Sequence, residues 1–300
     1  MDQPDPLTDI EKYFGEEKTK YIKNKNKGGI SNAKGNNYEL HYAIYQIAKY
    51  APRVLEHGEE IYILSQAEEF VDDLQLGCIQ KNWKFDYQLK NSKQVSWDKG
   101  KHPISEDFND QQKLNSLRGR ESKQYLIVSD MALANKLNQS KPSEIAAFSH
   151  VEYFSEVGTV NARLLSEKDF HHSINYLCAY PNSSDKLEIV AGLLMTAYKN
   201  TSQSKNNIIE ILHLARKHNP SCIRIFGTTL PLREAVKEIL NNIPDFDYDL
   251  DRGYFKWQYL NGLYTGQLLY DCNDTKFRKF EELILKEKPA CFEELEGLLL

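Results

Sequence analysis

The stretch from Glu69 to Lys90 constrains the fold more than any other part of the chain. Leu74 to Ile79 and Trp83 to Leu89 are two short β-rich runs around the polar turn Gln80-Lys-Asn82, a pattern that predicts two adjacent antiparallel strands. Asp72 and Asp73 open the first run, and Gln88 and Lys90 end the second. Residues two apart on a strand point to the same face, so Gln88 and Lys90 project together. A tight hairpin brings the start of the first strand beside the end of the second. A carboxylate, an amide oxygen and an ammonium then meet at one rim of a sheet.

The surrounding pattern supplies the other layers. Asn37 to Tyr50 is expected to be a helix, with Tyr38, Ile44, Ile47 and Ala48 at helical spacing and with Pro52 and Gly58 ending it. Ile61 to Ser65 is a further β-rich run. A helix is expected over Glu106 to Leu117, a buried strand over Tyr125 to Ser129, and another helix over Met131 to Leu137. Helix, strands, helix, strand, helix is an α/β order. Residues 1–29 are polar and lysine-rich and are expected to form a flexible basic lead-in. Its lysines, Lys18, Lys20, Lys23, Lys25 and Lys27, form either a solvated arm or one that contacts phosphates.

A length of 300 residues allows one large domain or two smaller ones, and the loop-like Pro181-Asn-Ser-Ser184 predicts a boundary, giving 1–180 and 181–300. The net charge of −5 excludes a generally basic nucleic-acid coat. Charge is unevenly placed, however. Basic residues outnumber acidic ones between Lys81 and Lys123, and the sign reverses between Pro244 and Leu300. A polyanion therefore meets the first half more easily.

The residues gathered by the hairpin suit phosphodiester hydrolysis. Magnesium prefers oxygen ligands, which an Asp carboxylate and a Gln carbonyl supply. A lysine beside them can orient water or stabilise developing negative charge. A second carboxylate can come from the preceding helix, where Glu39 in Gly35-Asn-Asn-Tyr-Glu39 is the candidate.

Gly35-x-x-Tyr-Glu39 at a helix start, an Asp-Asp pair, and Gln88-x-Lys90 on the next strand resemble the PD-(D/E)xK endonucleases. The resemblance is to the double-stranded DNA endonuclease domains of bacterial antiphage effectors and to Mrr-like nucleases. It covers about the first half of the chain. It implies a restriction-endonuclease-like mixed sheet flanked by helices, with Glu39, Asp73, Gln88 and Lys90 as the catalytic set. By the same resemblance Glu39, Asp73 and Gln88 hold Mg²⁺ or Mn²⁺, with Asp72 as the competing acid. Gln88 stands where the commonest motif has Glu, which removes one negative charge from the metal site. The implied partners are DNA and a protein of the same defence system, such as an ATPase or a sensor subunit.

The second half is expected to be a mostly helical domain with a small β-meander. Asp185 to Lys199, Asn207 to His218 and Leu232 to Asn241 have helical periodicity. Phe246 to Asp271 alternates like strands around Asp251-Arg-Gly253 and Asn261-Gly262. Asp245, Asp247, Asp249 and Asp251 argue against a phosphate-binding surface there and favour partner docking or self-assembly. The aromatic set Tyr254, Phe255, Trp257, Tyr259 and Tyr264 is expected to be the packed face of that sheet, with base stacking as the alternative. His171-His172 has no third ligand spaced nearby, and no phosphate-loop or nucleophile-elbow motif occurs. The five cysteines form no C-x-x-C pair, which fits reduced thiols. Met-Asp-Gln-Pro-Asp-Pro lacks the apolar core of a signal peptide, and no apolar run approaches the ~20 residues of a membrane span. A cytoplasmic location is expected on these grounds.

Overall fold

The two runs predicted as a hairpin, β2 (Leu74–Cys78) and β3 (Trp83–Lys90), lie at the centre of a six-stranded mixed sheet. The structure is a computed structural model and describes residues 6–33, 37–201 and 205–299. The other strands are β1 (Ile61–Ser65), β4 (Glu121–Val128), β5 (Ser149–Tyr153) and the two-residue β6 (Asn206–Asn207). Their order is β5-β4-β3-β2-β1-β6. β1, β2 and β3 pair antiparallel, whereas β3, β4 and β5 pair parallel. Parallel neighbours need a crossover. α3 (Ile104–Leu117) and α4 (Met131–Gln139) provide the two required. Asp130 caps α4 by accepting a hydrogen bond from the Leu133 N–H at 2.8 Å.

The chain divides into two compact units, Met1–His171 with Leu194–Leu212, and His172–Leu193 with His213–Leu300. In the first, α2 (Asn37–His57) covers one sheet face through Tyr42, whose ring lies 5.5 Å from Tyr87 and 5.0 Å from Phe154. α2 continues through Pro52 and stops only at Gly58, which has φ 64. On the opposite face, Phe108 of α3 and Leu133, Ala134 and Leu137 of α4 pack with Leu126, Val128 and Val151.

The expectation of a flexible lead-in is corrected. Residues Pro6–Ala33 form a helix, α1, broken at Gly15 (φ 84, ψ 174). Residues Met1–Asp5 lie outside those described. Only a few apolar residues anchor α1, chiefly Ile10 and Ile22, which are buried with Phe70 and Leu114. Its polar composition misled because much of what it packs against, including Asp72, Asp107 and Asp110, is also polar.

The second unit holds the expected meander of β7 (Phe246–Asp251), β8 (Tyr254–Tyr259) and β9 (Tyr264–Gln267). Arg252 and Gly253 both have positive φ in the β7–β8 turn (55° and 87°), and a Cβ on Gly253 would come within 2.2 Å of Ile225. Phe255 lies in a core with Phe277 and Phe280 of the helix Thr275–Glu287. Tyr259 stacks on Phe292 of the short helix Phe292–Glu296, with ring centroids 4.0 Å apart. These aromatic rings are packed as the alternation predicts; Tyr264 is the exposed member. No helix among the described residues is long and apolar enough to cross a membrane. All five cysteines are unpaired.

Candidate active site

The register of β2 and β3 decides which side chains meet. Leu74 is opposite Tyr87, so Asp73, one residue before β2, comes opposite Gln88. The Gln88 amide Nε2 donates to Asp73 Oδ2, and the Leu89 backbone N–H donates to the same oxygen at 2.7 Å. A carboxylate cannot donate, so the Gln88 amide nitrogen must face Asp73 and its oxygen must point away. Lys90 lies two residues further on the same face of β3 and acts electrostatically on Asp72. Asp73, Gln88 and Lys90 are thus brought to one rim, as the hairpin geometry predicts.

Glu39, near the start of α2, reaches this rim through an intermediary. Gln66 Nε2 donates to Glu39 Oε2 at 3.1 Å, and the Gln66 backbone N–H donates to the Asp73 carbonyl at 3.3 Å. Gln66 holds φ 52, a conformation uncommon outside glycine, at the tight connection between β1 and β2. The neighbouring Ala67 N–H donates to the Asp72 carbonyl at 2.9 Å.

Asp72 lies on the other side of Asp73 and is only 3% exposed. Its Oδ1 has the Lys25 ammonium at 3.2 Å. Burial pushes the Asp72 carboxyl up to about 6; Lys25 works against this and Asp73 adds to it. Lys25 itself sits among oxygens: Phe70 O at 2.5 Å, Asp107 Oδ2 at 3.1 Å, Asp72 Oδ1 at 3.2 Å and Gln88 Oε1 at 3.3 Å. Burial pulls its pKa down, but Asp72 and Asp107 outweigh that, so it lies above the ordinary lysine value and Lys25 is charged. Asp107 comes from the first turn of α3 and also accepts from the Tyr21 hydroxyl at 2.8 Å.

Sequence reasoning missed Lys25, Asp107, Gln66 and Tyr21. A signal for Asp107 exists: Asp107, Gln111 and Asn115 recur four apart on α3, all buried on a helix side that faces polar partners. Nothing local marks Lys25 among its neighbouring lysines.

The oxygens here suit a hard divalent cation in kind. The Asp107 Oδ1 is buried and has no hydrogen-bond partner among the described residues, and the buried Asp72 Oδ1 has the Lys25 ammonium at 3.2 Å in place of a hydrogen bond. The Asp107 oxygen indicates unused coordination capacity. Asp73, Gln88 and Asp72 would hold the ion, with Asp107 beside them and Glu39 linked through Gln66. No group of three or more His, Cys, Asp and Glu side chains already converges as a cage among the described residues. The centre of the oxygen cluster is taken by the Lys25 ammonium instead.

A second cluster lies further down the same face of β3. Lys84 and Asp86 are fully buried. Lys84 donates to Glu69, pairs with Asp86 at 2.9 Å and donates to Asn115 Oδ1 at 3.2 Å. Glu69 also accepts from Gln75 at 2.8 Å, Gln111 at 2.7 Å and Arg118 at 2.7 Å. Burial pushes the Glu69 carboxyl up, but Lys84 and Arg118 prevail and hold it down at about 2. Burial pushes Asp86 up.

No protein-family model and no curated protein matches this chain. Two solved structures align with it loosely. One is the Acinetobacter baumannii Cap4 SAVED/CARF-domain containing receptor with the cyclic trinucleotide 2'3'3'-cAAA, at 12% identity and TM-score 0.37, over 62% of this chain and 46% of that one. The other is the same receptor with 3'3'3'-cAAA, at 12% identity and TM-score 0.35, over 59% and 44%. This chain therefore spans less than half of the structures it aligns with.

Proposed function

We propose that this chain is a Mg²⁺-dependent double-stranded DNA endonuclease, the cutting subunit of a bacterial antiphage defence system controlled by a partner or by oligomerisation. The observation that carries the reading is the Asp73–Gln88 contact across β2 and β3, with Lys90 on the same face. The motif resemblance of Glu39, Asp73, Gln88 and Lys90 to PD-(D/E)xK endonucleases supplies the reaction class. A bound Mg²⁺ supplies charge against the phosphate and makes water a stronger nucleophile. Lys90, half-buried at the strand end, would set its ammonium against the negative charge that develops on the phosphate. Gln88 fixes the Asp73 carboxylate through its amide N–H, and the Leu89 N–H holds the same oxygen from the backbone. Glu39 is oriented by Gln66.

Supercoiled plasmid with Mg²⁺, with and without the proteins encoded beside this one, tests the reading. Cleavage is expected under at least one of these conditions and is lost in Asp73→Ala and Lys90→Ala. Cleavage that survives both substitutions, or no cleavage in any arrangement, refutes it. The second reading is a nuclease-like subunit that binds DNA or a partner without cutting. The Lys25 ammonium among the site oxygens favours it. Under that reading, Asp73→Ala protects cells from phage as well as wild type does.

A further inference from the structure

The unusual feature of this site is what occupies its centre. Four oxygens from three separate segments of the chain surround the Lys25 ammonium: the Phe70 carbonyl and Asp72 before β2, Gln88 on β3 and Asp107 on α3. Two are carboxylates on residues at least 95% buried, and Asp107, which meets Lys25 through Oδ2, keeps its Oδ1 with no hydrogen-bond partner among the described residues. A lone ammonium is a poor match for such a set. It offers three N–H donors and one charge, whereas a divalent cation takes six or more oxygens and two charges. An ammonium and a metal ion cannot share the position.

We propose that Lys25 is a tethered stand-in for the divalent cation, and that α1 plugs the site until it withdraws. This rests on the nuclease reading of the same site and adds its regulation, together with Asp107 as a ligand that the motif does not supply. α1 is held down by few contacts, most of them polar. Tyr21 stacks on His102 with ring centroids 3.6 Å apart and donates to Asp107. Asn26 Nδ2 donates to the Gln66 carbonyl at 2.7 Å, and Lys18 pairs with Asp110 at 2.9 Å. The Gly15 break gives α1 a joint before the segment that carries these residues. Its apolar anchorage over that segment is Ile22, with Tyr21 partly buried beside it. Two of these attachments, Lys25 and the Tyr21 hydroxyl, are made to oxygens that a metal ion would compete for.

The test uses the full chain and Mn²⁺, followed by electron paramagnetic resonance. Lys25→Met keeps the length of the side chain and removes its charge. It is expected to bind Mn²⁺ at least tenfold more tightly than wild type, and adding Asp107→Asn is expected to remove the gain. A folded Lys25→Met protein that binds Mn²⁺ no better than wild type overturns the proposal. Should Lys25→Met fail to fold, wild type decides by hydrogen exchange. Raising Mn²⁺ should speed exchange of the amides from Lys18 to Asn26, and unchanged protection there at every Mn²⁺ concentration overturns the proposal. The two readings fail separately. Tighter Mn²⁺ binding without DNA cleavage keeps the plug and removes the nuclease. Equal cleavage by wild type and Lys25→Met keeps the nuclease and removes the plug.

Discussion

One face of β3 carries two charged clusters that look alike in sequence, Lys84-x-Asp86 and Gln88-x-Lys90, yet differ in how they are satisfied. In the first, Lys84 lies between Glu69 and Asp86, with its ammonium 2.9 Å from Asp86 Oδ1, and Gln75, Gln111, Asn115 and Arg118 donate to the remaining oxygens. In the second, Lys25 from α1 serves the carboxylates of Asp72 and Asp107, the Asp107 Oδ1 has no hydrogen-bond partner among the described residues, and Lys90 reaches the rim. A closed network of this kind fixes position. An open one leaves capacity for a ligand. Buried charge alone therefore does not identify a site; what separates the two clusters is the Asp107 Oδ1, which faces no cation or donor among the described residues, and the access at the rim.

The largest expected difference is in stability. Lys84→Ala leaves Asp86 buried without its cation and Glu69 with Arg118 alone, and losing one partner of a buried pair costs about 3–5 kcal/mol. Urea unfolding should show that loss. A cost below about 1 kcal/mol would mean that water or rearrangement satisfies the closed cluster, and the contrast would collapse. Lys90→Ala should behave in the opposite way. It is expected to lower cleavage at least about a hundredfold, or about 2.7 kcal/mol in barrier at 1.36 kcal/mol per decade. Its effect on unfolding should stay within about 0.5 kcal/mol, as for most surface positions. If Lys90→Ala unfolds the protein as readily as Lys84→Ala, both clusters are structural.

Acid should separate the clusters by sign. Asp72 is raised from an ordinary 3.8 to about 6 by burial, so the fold favours its neutral form. Its stabilising contribution is complete below pH 3.8 and fades as pH rises through about 6. Glu69 is held down at about 2, so its contribution is complete above pH 4.5 and fades as pH falls towards 2. Stability measured against pH, with a chelator present, should lose the upper inflection in Asp72→Asn and the lower one in Glu69→Gln. Asp86, pushed up by burial, adds to the upper limb and remains in Asp72→Asn, which makes the difference between variant and wild type the quantity to read. A difference curve that is flat between pH 4 and 6 would place Asp72 in a wetter setting than its contacts imply.

The hairpin, the strand Tyr125 to Ser129 and the meander were legible because alternation and turn residues report local backbone geometry directly. The contact of Asp73 with Gln88 followed from register and needed nothing more. What the sequence concealed was burial of polar faces. Alternation of Lys84, Asp86, Gln88 and Lys90 with aromatic residues is the pattern of a strand with one wet face, yet the even-numbered face lies under α3 and α1. The same ambiguity hid α1, whose lysines look solvated until Asp72, Asp107 and Asp110 are set opposite them. A polar pattern tells which residues share a face and leaves open whether water or another polar element covers it.

Gln88→Glu gives the smallest effect and the finest test of the contrast. In the commonest form of the motif a glutamate stands here, so the change is conservative in the motif but not in this structure. The Gln88 amide N–H donates to Asp73, and its carbonyl accepts from Lys25 at 3.3 Å. A glutamate keeps the second interaction and turns the first into two carboxylates in contact. Losing one hydrogen bond to a charged group costs about 1.5–3 kcal/mol, and repulsion between the acids adds to it unless one of them takes a proton. The attraction of Lys25 to a full negative charge offsets part of this, so a net loss of about 1–2 kcal/mol is expected from chemical unfolding with a chelator present. Divalent ions should then restore more stability to Gln88→Glu than to wild type, because only the variant has an extra charge for them to neutralise. Equal responses of the two proteins to Mg²⁺ and Mn²⁺ would mean that Gln88 serves Asp73 as a positioning group and does not face the cation, which would move the open cluster towards the closed one.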